Sequence, residues 1–291
     1  MPFKQNIFSL VKFFGTPPEK IFQHLHFVGI INIRSSENTN FKMKHYGFQI
    51  ENEIYWRGIE NGWEKVSLTI WAELCTISKS IFDIGANTGI YSLLAKSIAP
   101  DAKVYAFEPV ERVFEKLVYN NKLNSYDIAC SNEAISDYTG EATIYDKDTE
   151  HTYSVTVNED NSDNKETSIP TIIQTIRLDE FIESNCIEQI DLIKIDVEKH
   201  EVEALRGMGK YISSFMPTFL IEILNDEIAK GVEDILKEMD YEYYIIDENS
   251  GIAKVEHLRK SDYYNFLICT TEVAHKLKSI PRFTKEYKNK N

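Results

Sequence analysis

The chain has no long apolar run, no clustered cysteines and no excess of basic charge, and each absence removes a class of function. No stretch approaches the roughly 18 consecutive apolar residues needed to span a bilayer. The N-terminus lacks the apolar centre and small-residue cleavage site of a signal peptide, so the expected location is the cytoplasm. The four cysteines, Cys75, Cys130, Cys186 and Cys269, show no pair at metal-ligand spacing and read as reduced residues. The formal charge of -14 argues against nucleic acid as a partner, because binding a phosphate backbone depends on clustered Lys and Arg. Against these absences, 43% hydrophobic content over 291 residues is ample for a real core.

The most informative stretch is Ser80-Ile-Phe-Asp-Ile-Gly-Ala-Asn-Thr-Gly-Ile-Tyr-Ser92, followed by Lys103-Val-Tyr-Ala-Phe-Glu-Pro109. It reads as a buried strand, a glycine turn, a helix and a second strand ending in a carboxylate, which is half of a nucleoside site. Gly85 allows the sharp turn, Gly89 a close approach, and Glu108 can accept two ribose hydroxyls.

From Ser80 onward strands and helices alternate, which predicts a mostly parallel sheet with helices on both faces. Strands are expected at Ile81–Asp83, Val104–Phe107, Ile128–Ser131, Asp191–Asp196, Thr218–Ile223, Tyr243–Ile246 and Asn265–Cys269. Helices fill the gaps at Gly89–Ile98, Arg112–Leu123, Leu178–Ser184, Glu201–Ile212 and Ile228–Met239. No helix-length pattern separates the last two strands, so they must pair antiparallel. The alternation breaks across residues 141–177, where short strands at Ala142–Tyr145, Tyr153–Val157 and Ile172–Ile176 flank a polar run, as in an active-site flap.

Ahead of the core, residues 1–75 form a β-rich extension with an N-terminal helix, suited to a substrate or dimer module. Ile7–Phe14 is helical, Phe27–Ile33 and Phe41–Tyr46 make a hairpin around Ser35–Asn40, Gln49–Trp56 continues the sheet, and Gly62–Leu74 is a helix. The core then runs over 76–275 and a basic tail over 276–291. The apolar side of Ile7–Phe14 beside Lys4 and Lys12 also allows weak peripheral contact with a membrane, and a homo-oligomer is compatible with the chain.

The dinucleotide pattern G-x-G-x-x-G fails here, since Asn87 and Ile90 stand where its second and third glycines belong. The second of those glycines lets a pyrophosphate touch the backbone, so its absence favours a cofactor with ribose and adenine but no pyrophosphate. S-adenosylmethionine meets that description. On this reading Asp83, Gly85, Asn87, Gly89 and Tyr91 surround its amino-acid end, Glu108 takes the ribose, and Asn132, Glu133 and Ala134 offer the adenine edge. Asp196 can receive its ammonium group.

The motifs carry a resemblance. Asp83–Ser92, Ala106-Phe-Glu-Pro109, Ala134-Ile-Ser136, Leu178-Asp179, Lys194-Ile-Asp-Val-Glu-Lys-His-Glu201 with Leu205-Arg-Gly207, and Pro217–Glu222 resemble, in order, the motif series of FkbM-type S-adenosylmethionine-dependent methyltransferases. The resemblance covers about Ser80 to Ile223. It implies a class I methyltransferase fold, a Rossmann-like sheet of seven strands whose last strand is antiparallel. It also implies O-methylation, often of sugars or glycoconjugate precursors. One position departs: Lys199 stands where the family usually has glycine.

Methyl transfer to an alcohol needs alignment of the nucleophile and a base for its proton. Asp196, Glu198 and His200 gather at the end of a predicted central strand, the edge where open α/β sheets bind ligands, and either His200 or Glu198 can act as the base. The same carboxylates with Glu222 are of the kind Mg²⁺ prefers, although no spacing is specific for a metal. Acceptor contacts are expected from Tyr55, Trp56 and Arg57, from His151 and Tyr153 in the flap, and from Glu222, since aromatic rings beside an arginine suit small-molecule or glycan acceptors. Two rival readings use the same pattern: a non-catalytic S-adenosylmethionine-binding protein, kept alive by Lys199, and an NAD-dependent oxidoreductase.

Overall fold

The computed structural model describes residues 2–147 and 168–278. The expected flap strand at Tyr153–Val157, together with His151, and most of the basic tail lie outside the described residues.

The chain begins with α1 (Pro2–Phe14) and the short α2 (Glu19–Phe22), followed by a hairpin of β1 (Gly29–Arg34) and β2 (Asn40–His45) in register from Gly29–His45 to Arg34–Asn40. Helix α1 lays Phe8 against Phe27 and Trp56, while Phe13 and Phe14 on its far side are exposed. Next come α3 (Gln49–Arg57) and α4 (Lys65–Thr76). The expected strand at Gln49–Trp56 is therefore a helix. Ile50 and Ile54 stand four residues apart, and the polar Glu51, Asn52 and Glu53 between them suit a helix better than a strand. Asn52 fixes that helix by donating its amide to the Phe22 carbonyl oxygen at 2.8 Å.

The core continues through β3 (Ser80–Ile84), α5 (Ile90–Ile98), β4 (Lys103–Phe107), α6 (Glu111–Asn124), β5 (Ala129–Ser131), β6 (Ala134–Ser136), β7 (Gly140–Lys147), β8 (Ser168–Arg177) and α7 (Leu178–Ser184). After these come β9 (Leu192–Ile195), α8 (Glu201–Met208), α9 (Tyr211–Phe215), β10 (Thr218–Glu222), α10 (Asp226–Leu236), β11 (Tyr241–Asp247), β12 (Gly251–Val255), β13 (Asn265–Thr270) and α11 (Thr271–Lys278). Strands β3 and β9 are buried along their whole length, as central parallel strands covered on both faces must be. Where one helix was expected over Glu201–Ile212, Gly209 at φ 54° divides α8 from α9. Helix α10 starts on an Asn225 cap, whose side-chain oxygen accepts the Ile228 N–H at 2.9 Å.

The main sheet has eight strands in the order β12-β11-β13-β10-β9-β3-β4-β5. The run from β10 to β5 is parallel, and β13 slots antiparallel between β10 and β11. All seven predicted strands are present, and β12 adds an eighth at the edge as a hairpin with β11. The predicted strands at Ala142–Tyr145 and Ile172–Ile176 become β7 and β8, which form with β6 a separate three-stranded sheet.

Two apolar cores cover the sheet. One packs Phe219, Ile193 and Ile195 under α7, α8 and α10. The other joins Ile81, Val104 and Leu192 to Phe22, Trp56 and Trp71 from the N-terminal segment, so this segment seals one face of the sheet. No helix among the described residues is long and apolar enough to cross a membrane.

Candidate active site

The site begins at the turn from β3 to α5. Gly85 has φ 80°, and a Cβ there would lie 1.8 Å from the backbone oxygen of Asp196, so any side chain would collide with the end of β9. The Gly85 and Ala86 N–H groups both donate to the Phe107 carbonyl at 3.0 and 2.8 Å, clamping the turn to the end of β4. Asn87 takes the left-handed conformation, φ 52°, that asparagine tolerates best after glycine. Its N–H then donates to Glu108 Oε2 at 2.9 Å, and the Val110 N–H donates to Glu108 Oε1 at 3.0 Å. Burial pushes the Glu108 carboxyl up to about 7, against the pull of those two N–H groups.

Asp83 is 1% exposed and does not line the cleft. Its Oδ2 accepts the N–H and hydroxyl of Ser92 at 2.9 and 2.5 Å, which ties β3 to α5 and holds the turn rather than a ligand. Gly89 also stays out of the cleft, at φ 93° where a Cβ would meet Leu117.

The other wall comes from the ends of β9 and β10. Lys194, buried within β9, places Nζ 2.7 Å from Asp196 Oδ2 and 4.5 Å from the centre of the Tyr91 ring. Burial opposes its charge, but Asp196, Glu64 and Asp83 outweigh burial and hold its pKa above the usual lysine value. After β9 the chain turns through two successive left-handed residues, Glu198 at φ 53° and Lys199 at φ 78°. Lys199 thus adopts a conformation that favours glycine, and its side chain does not line the cleft. Glu201 seals this turn by accepting the Lys199 N–H at 3.2 Å.

His200 lines the cleft, with Nε2 3.0 Å from Ser136 Oγ and Nδ1 3.7 Å from Glu203 Oε2. Burial holds its pKa below 6.5, with Glu203 and Asp137 opposing. Glu222, ending β10, is pushed up to about 10 by burial and then by Asp196. Glu64 arrives from outside the sheet, just before α4, and accepts a short hydrogen bond from the Tyr91 hydroxyl. Burial pushes it up to about 7, with Lys194 pulling it back.

Together these residues enclose a cleft of about 380 Å³ at the carboxyl ends of β3, β4, β9 and β10. Of the expected cofactor residues, Gly85, Asn87, Tyr91, Glu108, Glu133, Ala134 and Asp196 line it. Asn132 does not: its amide is committed to the carbonyl oxygens of Glu108 and Pro109 at 2.9 and 3.1 Å, and it shapes the loop from behind. All three expected catalytic residues and Glu222 reach the cleft. Tyr55 and Trp56 do not, because both are core side chains packed on Phe27 and Phe22 respectively. Arg57 is paired with Glu19 at 2.7 Å, also outside. Tyr153 and His151 lie outside the described residues.

Sequence reasoning missed Lys194, Glu64, Trp63 and Phe48. A lysine inside the apolar run Leu192–Ile195 is a readable anomaly, because a buried lysine needs a partner. Nothing local marks the other three. Among the described residues, no group of three or more His, Cys, Asp or Glu is placed to hold a metal ion.

The lining tests the cofactor. Glu64, Glu108, Glu133, Asp196, Glu198 and Glu222 face Lys194 as the fixed cation among the described lining residues. An anionic pyrophosphate does not suit that surplus of carboxylates, whereas a ligand carrying a sulfonium and an ammonium against one carboxylate does. Fold and cleft together define a class I methyltransferase. The family model described as the Methyltransferase FkbM domain matches residues 83–243, and the chain belongs to this family of S-adenosylmethionine-dependent enzymes.

Curated relatives include the hexuronic acid methyltransferase AglP of Haloferax volcanii, 27% identical over 54% of this chain and 61% of that protein. The chain thus matches less than two thirds of AglP's length. Methyltransferase sdnD of Sordaria araneosa is 23% identical over 56% of this chain and 73% of its own. Among solved structures, the FkbM methyltransferase of Methylobacillus flagellatus is similar with a TM-score of 0.42 and 17% identity, over 66% of this chain and 43% of that one.

Proposed function

We propose that the chain O-methylates a hydroxyl of a sugar or glycoconjugate, with Glu198 as general base. S-adenosylmethionine, when bound, supplies a methyl carbon on a positively charged sulfur. The observation that carries the reading is that one cleft is lined both by Glu108, suited to a ribose, and by Glu198 and His200, suited to proton chemistry. AglP's name, a hexuronic acid methyltransferase, supports a sugar acceptor.

Of the two candidate bases we favour Glu198, which lines the cleft just past the end of β9. Asp196 is neutralised by Lys194 at 2.7 Å. In neutral His200 the Nε2 atom is engaged by the Ser136 hydroxyl at 3.0 Å, while Nδ1 lies 3.7 Å from Glu203. His200 then positions the turn after β9, while Glu198, at the strand end, takes the acceptor's proton.

Release of S-adenosylhomocysteine from purified protein, S-adenosylmethionine and a panel of sugars and nucleotide sugars tests the proposal. Turnover on at least one acceptor is expected. Glu198→Gln should lower kcat about 10²- to 10⁴-fold with unchanged cofactor affinity, and His200→Gln should cost less. Cofactor binding with no turnover on any acceptor overturns the reading in favour of a binding protein.

A further inference from the structure

The cleft has a second wall that the family domain does not supply. The family match begins at residue 83, yet Phe48, Trp63 and Glu64 line the same cleft as Glu108 and Glu198. This wall is built, not incidental. Trp63 stands edge-on to Tyr91 at 6.3 Å, and Tyr91 packs on Trp71 at 5.3 Å while its hydroxyl bonds Glu64. The helix that follows is pinned in place by Glu248, whose carboxylate accepts the Val66 and Ser67 N–H groups at 2.6 and 3.1 Å.

The wall offers aromatic surface beside a carboxyl group. A sugar ring has apolar C–H faces that pack on indole, and hydroxyls or an amine that a carboxylate accepts. The remaining charge in the cleft decides between sugars. At pH 8 Glu64 carries it, since Glu222 is held at about 10 and keeps its proton while Lys194 offsets the charge of Asp196. A second carboxylate brought by an acceptor meets like charge with no free cation among the described lining residues, so it is disfavoured.

We propose that Trp63 and Glu64, outside the family domain, form the acceptor subsite, and that it takes a neutral or amino-bearing sugar ring and rejects an acidic one. This inference rests on the methyltransferase reading above. Burial of Glu64, which holds its carboxyl up to about 7, shows how little further negative charge this corner tolerates.

The test measures binding of matched hexose, amino-hexose and hexuronic acid methyl glycosides, in gluco and galacto series, to protein loaded with S-adenosylhomocysteine, by calorimetry at pH 8. The amino or neutral glycoside should bind at least about tenfold more tightly than the uronide. Glu64→Gln should narrow that ratio at least about twofold. Trp63→Ala should weaken the neutral glycoside about tenfold, and Trp63→Phe should restore part of the loss. In Trp63→Ala and Trp63→Phe the affinity for S-adenosylmethionine should stay within about twofold, and Glu64→Gln should still bind it measurably, which also reports a folded site.

Equal or tighter binding of the uronide overturns the proposal. So does unchanged glycoside affinity in Trp63→Ala, or cofactor binding by a protein that holds no glycoside. If S-adenosylmethionine itself does not bind, the methyltransferase reading falls first and this proposal with it.

Discussion

Cofactor binding should release protons and strengthen as pH rises. In the ligand-free cleft Glu222 is held at about 10, and Glu64 and Glu108 at about 7. At pH 7 Glu222 therefore carries nearly a full proton and the other two about half each. A ligand cation favours their ionised forms, and so do ribose hydroxyls at Glu108, so binding lowers all three pKa values. Release is bounded by about two protons at pH 7, and each proton released steepens association about tenfold per pH unit. Glu222 alone sets a ceiling of about 100-fold tighter binding at pH 8 than at pH 6.

The sign for folding is opposite. Each group holds its proton more tightly folded than unfolded, so ligand-free stability is fullest below the unfolded value of about 4.5. It declines as pH climbs through 7 for Glu64 and Glu108 and towards 10 for Glu222. A group raised from 4.5 to about 7 accounts for at most about 3 kcal/mol of that decline. Titration calorimetry in buffers of different ionisation heat reads the protons directly. S-adenosylhomocysteine, whose sulfur is neutral, should show the smaller pH slope. An S-adenosylmethionine affinity that is flat or falls between pH 6 and 8, with heats independent of buffer, refutes the charge argument.

Three substitutions probe the rest of the site. Gly85→Ala combines a left-handed side-chain penalty with a clash on Asp196, and should cost about 2–5 kcal/mol in urea unfolding; a loss below about 1 kcal/mol contradicts the close approach. Glu108→Gln removes charge-assisted bonds to ribose hydroxyls, so the cofactor Kd should rise about 10- to 100-fold, checked by calorimetry, and stability should fall by about 1–3 kcal/mol because one of the Asn87 and Val110 N–H groups then faces the amide NH2. Lys199→Gly relieves a left-handed lysine at φ 78° while adding freedom to the unfolded chain, for a net gain of about 0.5–1 kcal/mol and retained turnover; a drop in Tm shows that the Lys199 side chain stabilises the turn instead.

What was legible in the sequence was local. A strand, a glycine turn and a carboxylate at the next strand end lie within 30 residues of each other, so their chemistry and their geometry are read from the same stretch. Gln49–Trp56 reads as a strand because it follows a hairpin and ends in aromatic residues, whereas the four-residue spacing of Ile50 and Ile54 and the Asn52 bond to Phe22 belong to a helix. Tyr55-Trp56-Arg57 looked like a sugar platform for the same reason that it forms a core: large amphipathic rings serve both ends. His200 as a base could not be judged without Ser136, which the fold brings to it from 64 residues away.

Glu64 shows why the acceptor is harder to read than the cofactor. Its role depends on Tyr91, 27 residues on, and on the Lys194–Asp196 pair in a strand far beyond that, and no motif spans them. The family match over 83–243 contains the turn, Glu108 and the β9 end, to which we assign the cofactor and the base. Residues 48–64 complete the cleft from outside that match. On our proposal the family domain supplies methyl transfer, whereas the kind of sugar accepted is chosen by the aromatic and acidic wall outside the family match. If that division holds, exchanging Trp63 alters which sugar binds and leaves the cofactor's affinity where it was.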